Sequence, residues 1–227
     1  MIPRPENPLI VALDVSDPER AEAMAHRLGG TVGLLKVGLE LFTAAGPDVV
    51  SRIGAVAPVF LDLKLHDIPN TVRGAARNAA RLGAAMLTVH ALGGEAMVAA
   101  AVRGAAEGAE AVGRTAPAIL AVTVLSSLAG EGLASPSSLA FEAVAAGASG
   151  VVVSGEDVAN VREVLGAEAC LVVPGIRPAG SNGHDQARIL TPEEAVERGA
   201  DYLVIGRPIT ASPDPAGVAR AILSSVR

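Results

Sequence analysis

Short apolar runs, rich in Val, Ile and Leu, recur along the whole chain, each too brief to form a helix. They predict strands near Leu9–Asp14, Leu34–Val37, Val59–Leu65, Met86–His90, Ile119–Val124, Gly150–Ser154, Cys170–Pro174 and Tyr202–Ile205. The segments between them place apolar residues at helical spacing. Several open with a capping residue followed by proline at the first helical position: Asp17-Pro18, Ser135-Pro136, Thr191-Pro192 and Asp214-Pro215. Glu194 adds a capping box to Thr191. Gly83, Gly147, Gly166 and Gly199 each fall just before an apolar run, where a left-handed residue would stop a helix. Strands that alternate with helices pair in parallel, because each crossover returns the chain to the same end of the sheet. Eight such units predict an α/β (β/α)8 TIM barrel. No linker or shift in composition divides it, so a single domain over residues 1–227 is expected. A doubly wound open sheet is the alternative, but it gathers its ligand at one switch point, whereas here charged residues close many strands.

Composition narrows the function. Half the residues are hydrophobic and only 2% aromatic, so the core must be aliphatic. A net charge of −6 and a pI near 5.2 argue against nucleic acid or an anionic membrane as partner, since both require a basic face. The uncharged stretch Thr115–Gly130 is too short, and too broken by Pro and Ser, to span a bilayer. Met1–Pro8 is polar and proline-rich, unlike a signal peptide. The single cysteine, Cys170, allows no disulfide within the chain and lies in an apolar run, which predicts a cytoplasmic protein with Cys170 as a small buried hydrophobe.

In such a barrel the active site lies at the C-terminal ends of the strands, and polar residues collect there: Asp14, Lys36, His90, Arg177 and Arg207. The third strand is the most informative. Strand side chains alternate faces, so Leu61, Leu63 and Leu65 turn toward the helices while Asp62 and Lys64 point inward. Inward charges must pair; Lys36 and Asp67 would complete an array of two cations and two anions. Asp14 has two readings, a member of the site or a shaper of the turn into the first helix. Gly206-Arg207-Pro208 follows the last strand, where barrels commonly hold phosphate. The long segment from Gly175 to Leu190, with Arg177 and Gln186 bracketing its glycine-rich middle, predicts a lid. The histidines are scattered. His26 falls in the first helix, His184 in the lid and His66 at a strand end, while His90 is expected as a satisfied polar residue lining the barrel top. No spacing suggests a metal site.

Asp62-Leu63-Lys64-Leu65-His66-Asp67-Ile68-Pro69-Asn70-Thr71 resembles the signature of the orotidine 5′-phosphate decarboxylase family. Leu13-Asp14, Lys36-Val37-Gly38, Val173-Pro174-Gly175-Ile176-Arg177, Gln186 and Gly206-Arg207 match it in order along the chain. A departure falls on the fifth strand, where many members carry Thr and this chain has Ser126, with Ser127 beside it. The resemblance implies a homodimer with shared active sites that converts orotidine 5′-phosphate to UMP and CO2, the last step of de novo pyrimidine nucleotide synthesis, without cofactor or metal. It implies that Lys64 protonates C6, that Asp62 faces the departing carboxylate, and that Lys36 and Asp14 hold the ribose. It further implies that Asp67, Ile68 and Thr71 reach into the neighbouring subunit's site. Arg177, Gln186, Gly206 and Arg207 would hold the phosphate, and Ser126 or Ser127 the base. Related sugar-phosphate decarboxylases and synthases look similar at the third strand but use Mg²⁺ and carry an acid at the position of Lys36, whose charge would repel the ion. A non-catalytic nucleotide-phosphate binder would be expected to have lost Asp62 or Lys64, and both are present.

Overall fold

The structure is a computed structural model that describes residues 5–124, 135–178 and 190–226. Its eight strands are β1 (Leu9–Ala12), β2 (Leu34–Gly38), β3 (Val59–Leu65), β4 (Met86–His90), β5 (Ala118–Val122), β6 (Gly150–Val152), β7 (Cys170–Pro174) and β8 (Tyr202–Ile205). They pair in parallel in chain order and β8 closes on β1, so the sheet is a barrel and not an open doubly wound sheet. The helices α1 (Pro18–Leu28), α2 (Leu39–Ala45), α3 (Asp48–Gly54), α4 (Pro69–Leu82), α5 (Gly94–Glu110), α6 (Pro136–Ala145), α7 (Val158–Leu165), α8 (Pro192–Glu197), α9 (Arg207–Thr210) and α10 (Pro215–Ser225) alternate with the strands. Among the described residues none is long and apolar enough to cross a membrane.

Local chemistry accounts for the helix boundaries. The Asp17 carboxylate accepts the Glu19 and Arg20 N–H groups, Asp214 accepts that of Gly217, and Thr191 with Glu194 forms both halves of a capping box. Ser135 departs from expectation: it precedes α6, but its side chain makes no capping bond. Gly83 ends α4 in the left-handed region, whereas Gly166 after α7 pairs a φ of 67° with an extended ψ of −164° and is not a left-handed cap.

Alternation along the strands sorts the apolar residues into two layers. Leu9, Val11, Leu35, Val37, Leu61, Leu87 and Val89 belong to the layer between barrel and helices, with Leu63 and Leu65 packed against it. Ile10, Leu34, Phe60, Met86, Leu120, Cys170, Val172, Tyr202 and Val204 fill the barrel interior. Cys170 is therefore the buried small residue expected, and burial pushes its thiol up to about 12. The aliphatic interior closes the barrel below, so the polar residues at the strand tops face a walled cup, not a pore.

Candidate active site

The inward positions of the first three strands carry a row of alternating charge. Gly38 of β2 pairs with Asp62 of β3, and Ala12 of β1 pairs with Lys36, which sets Asp14 just above the Lys36 level. The Lys36 ammonium donates to Asp14 Oδ1 at 2.7 Å and stands 3.7 Å from Asp62 Oδ2. The Lys64 ammonium donates to both Asp62 oxygens at 2.8 Å. The order is thus Asp14, Lys36, Asp62, Lys64, and each charge has opposite charge beside it. The middle pair is the more deeply buried, with Lys36 and Asp62 side chains 11% and 12% exposed against 33% for Lys64 and 56% for Asp14. Removing either middle residue would leave the other with one partner instead of two, Lys36 with Asp14 or Asp62 with Lys64.

This geometry decides between the two readings of Asp14: its carboxylate belongs to the site. It also corrects the expected array. Within one chain Asp67 is not its fourth member. Asp67 is exposed beyond β3, its carboxylate accepts the Ile68 N–H, and neither it nor the exposed Ile68 and Thr71 lines the cavity.

Lys64 occupies an unusual backbone position. Its φ is 49°, and it is the sole non-glycine residue with positive φ among the described residues. The β3–β4 register shifts at the same place: Leu61 pairs with Leu87, yet the next pair is Leu65 with Val89. Across the shift the Lys64 N–H donates to Thr88 Oγ1 at 2.8 Å, and the Thr88 hydroxyl donates to Asp62 Oδ1 at 2.9 Å. Sequence reasoning missed Thr88. Its only available signal was its inward parity on β4.

Above the array lies a cavity of about 480 Å³. Asp14, Lys36, Asp62 and Lys64 line it together with Arg177, Gly206 and Arg207, while Phe60, Val122, Val152 and Val204 supply apolar surface. Arg177 is buried, and its backbone N–H donates to Leu190 O, which ties the end of β7 to the start of α8. Arg207 opens α9 and is exposed. Ser126, Ser127, His184 and Gln186 lie outside the described residues. His90 sits beside the cavity and not in it. Its Nδ1 accepts the Leu92 N–H, and its ring stacks on His66 with centroids 5.2 Å apart. Burial, then the charges of His66 and Lys64, push its pKa down and favour the neutral ring. Among the described residues no group of three His, Cys, Asp or Glu side chains is placed to hold a metal ion.

One pocket therefore offers a row of fixed charges, an apolar wall and arginines that follow the last two strands. Its cations and apolar surface together suit a partly apolar, anionic small molecule. The profile of the orotidine 5′-phosphate decarboxylase / HUMPS family matches residues 7–222. The chain is 52% identical to an orotidine 5′-phosphate decarboxylase of Anaeromyxobacter sp. (strain K), over 98% of this chain and all of that one. It is 50% identical to the Moorella thermoacetica protein of the same name, over 96% of this chain and 91% of the relative. The crystal structure of orotidine 5′-phosphate decarboxylase from Lactobacillus acidophilus superposes with a TM-score of 0.86 at 38% identity, covering 98% of this chain and all of that one.

Proposed function

The chain belongs to the orotidine 5′-phosphate decarboxylase / HUMPS family, and from that premise we infer that it converts orotidine 5′-phosphate to UMP and CO2, the closing step of de novo pyrimidine nucleotide synthesis. The observation that carries the mechanism is the Asp14–Lys36–Asp62–Lys64 row, with Lys64 at its cavity end. Breaking the bond from C6 to the carboxylate leaves an electron pair in an in-plane orbital, with no neighbouring carbonyl to delocalise it. An ammonium held at that point stabilises the developing charge far more than it stabilises the substrate, and this difference is what lowers a barrier. As CO2 leaves, the electron pair left on C6 takes a proton from Lys64, and the neutral amine then recovers a proton from solvent. The substrate carboxylate enters beside the Asp62 carboxylate, so departure as neutral CO2 relieves a like-charge contact.

The remaining roles are those the family resemblance implies. Asp14 and Lys36 hold the ribose hydroxyls, Lys36 doing so while pinned between two carboxylates. Arg177, Gly206 and Arg207 grip the phosphate with Gln186, and Ser126 or Ser127 meets the base. The expected lid lies largely outside the described residues, and phosphate binding far from C6 supplies energy that orients the reacting end of the substrate. Asp67, Ile68 and Thr71 complete the site of a second copy in a homodimer. The 67% exposure of Ile68, a large apolar side chain at the start of α4, supports that reading. The dimer acts in the cytoplasm and requires neither cofactor nor metal.

The test is the loss of pyrimidine absorbance when purified protein meets orotidine 5′-phosphate. Turnover unchanged by excess EDTA is expected. Turnover restored only by Mg²⁺ would transfer the chain to the sugar-phosphate side of its family, and no turnover in either condition would leave a nucleotide-phosphate binder.

A further inference from the structure

We propose that Thr88 is a positioning residue for the decarboxylation: one buried hydroxyl on β4 holds both the Lys64 backbone and the Asp62 carboxylate, and so sets the proton donor against its carboxylate partner. The proposal rests on the reading of Lys64 as the proton donor.

Between the pairs Leu61–Leu87 and Leu65–Val89, β3 advances by four residues while β4 advances by two. Asp62, Leu63 and Lys64 therefore lie opposite the single residue Thr88, and the regular ladder of backbone hydrogen bonds is interrupted there. The Lys64 N–H would be left without a strand carbonyl. It donates instead to the Thr88 side chain at 2.8 Å. In exchange β3 places Lys64 at a φ of 49°, a conformation a long side chain holds only where its surroundings enforce it.

The direction of each hydrogen bond is set by chemistry. A backbone N–H can only donate, so Thr88 Oγ1 accepts from Lys64. The Asp62 carboxylate accepts, so the Thr88 O–H donates to Oδ1 at 2.9 Å. The hydroxyl thus spends its proton on the carboxylate and a lone pair on the amide. Thr88 is fully buried, so water does not compete for either bond. Both Asp62 oxygens in turn receive the Lys64 ammonium at 2.8 Å. The closed circuit of Lys64 N–H, Thr88 hydroxyl, Asp62 carboxylate and Lys64 ammonium links the two ends of one lysine through a neighbouring strand.

Removing the hydroxyl would release the bulged backbone and the carboxylate together. Ground-state binding of the nucleotide through ribose and phosphate would persist, but the ammonium would lose its alignment to C6. A serine would keep both bonds. Thr88→Val, which preserves shape, is expected to lower kcat by about 10–100-fold, the cost of a misalignment near 1 Å. UMP should still bind within about twofold of the wild-type Kd, and Thr88→Ser should recover most of the loss. If Thr88→Val does not fold, Thr88→Cys, whose thiol donates and accepts only weakly, replaces it under the same criteria. A folded Val or Cys variant with wild-type kcat would overturn the proposal. So would a parallel fall in kcat and UMP affinity that serine does not correct, because that marks a structural role. Lys64→Ala measured alongside separates the two readings. An inactive Lys64→Ala with a fully active Thr88→Val removes only the role of Thr88, whereas an active Lys64→Ala removes the proton donor and the proposal with it.

Discussion

The Lys64 ammonium lies 2.8 Å from both oxygens of Asp62, so the cation that would meet C6 is held by two carboxylate oxygens of one residue of its own strand and is not free to swing in solvent. A fixed charge has no reorganisation left to perform when charge develops on the substrate. Lys64→Ala should abolish measurable turnover yet still bind UMP, because the residues proposed to hold ribose and phosphate, Asp14, Lys36, Arg177 and Arg207, lie on or beyond other strands. Calorimetric titration with UMP beside the decarboxylation assay checks both halves, and a variant keeping most of the wild-type kcat would remove Lys64 as proton donor.

Gly38 leaves room for the other lysine. A methyl group there would lie 2.9 Å from Lys36 Nζ and 3.3 Å from Asp14 Oδ1, while its φ of −95° and ψ of −177° are open to any residue. Gly38→Ala should therefore fold, with Tm lowered by no more than about 2–4 °C. It should raise KM for orotidine 5′-phosphate about tenfold, or ~1.4 kcal/mol, by pushing the ammonium off the ribose. Unchanged kinetics would show that the Lys36–Asp14 pair shifts without consequence.

Arg207 opens α9 at the rim of the cavity. Arg207→Ala should lower kcat/KM by a transition-state free energy on the order of 2–4 kcal/mol, as expected for a charged hydrogen bond to phosphate. The phosphate-free nucleoside should be turned over as slowly by the variant as by the wild type. Equal losses on both substrates would mean that Arg207 supports the fold.

Asp67 stands outside its own chain's cavity. If it serves a second copy, Lys64→Ala and Asp67→Ala proteins, each nearly inactive alone, should complement when unfolded and refolded together. Random assembly makes about half the dimers mixed, and two-fold symmetry gives each mixed dimer one intact site, so about one quarter of all sites should recover. An inactive mixture whose mixed dimers are confirmed by native mass spectrometry would refute sharing and leave the decarboxylase assignment standing.

Tyr202 is the only tyrosine and the chain has no tryptophan, so phenolate absorbance reports this one residue. Burial first, then the charges of Cys170 and Asp201, push its pKa up to about 12; Cys170 beside it in the barrel interior is likewise raised to about 12. In the unfolded chain both ionise earlier, near 10 and 9. Between those values and 12 the native state binds more protons than the unfolded state, so stability must fall as pH rises. Denaturant midpoints should be level up to about pH 9 and decline beyond it. A phenolate signal at pH 10 in folded protein would show that the barrel interior admits water.

The sequence alone determined the eight strands, the parallel closure and the inward facing of Asp62 and Lys64, because strand period, helix caps and turn glycines are local properties written in consecutive residues. The motif from Asp62 to Thr71 carried the family for the same reason. Pairing between distant strands decided the rest. Whether Asp14 shapes a turn or meets Lys36 depends on the β1–β2 register, set by how the barrel closes. The exclusion of Asp67 from its own chain's array depends on where β3 leaves the sheet. The bulge that turns the Lys64 backbone and hands its N–H to Thr88 exists only between β3 and β4, whose residues are 24 positions apart at that hydrogen bond. No window along a single strand contains both partners, so only the closed barrel could bring them together.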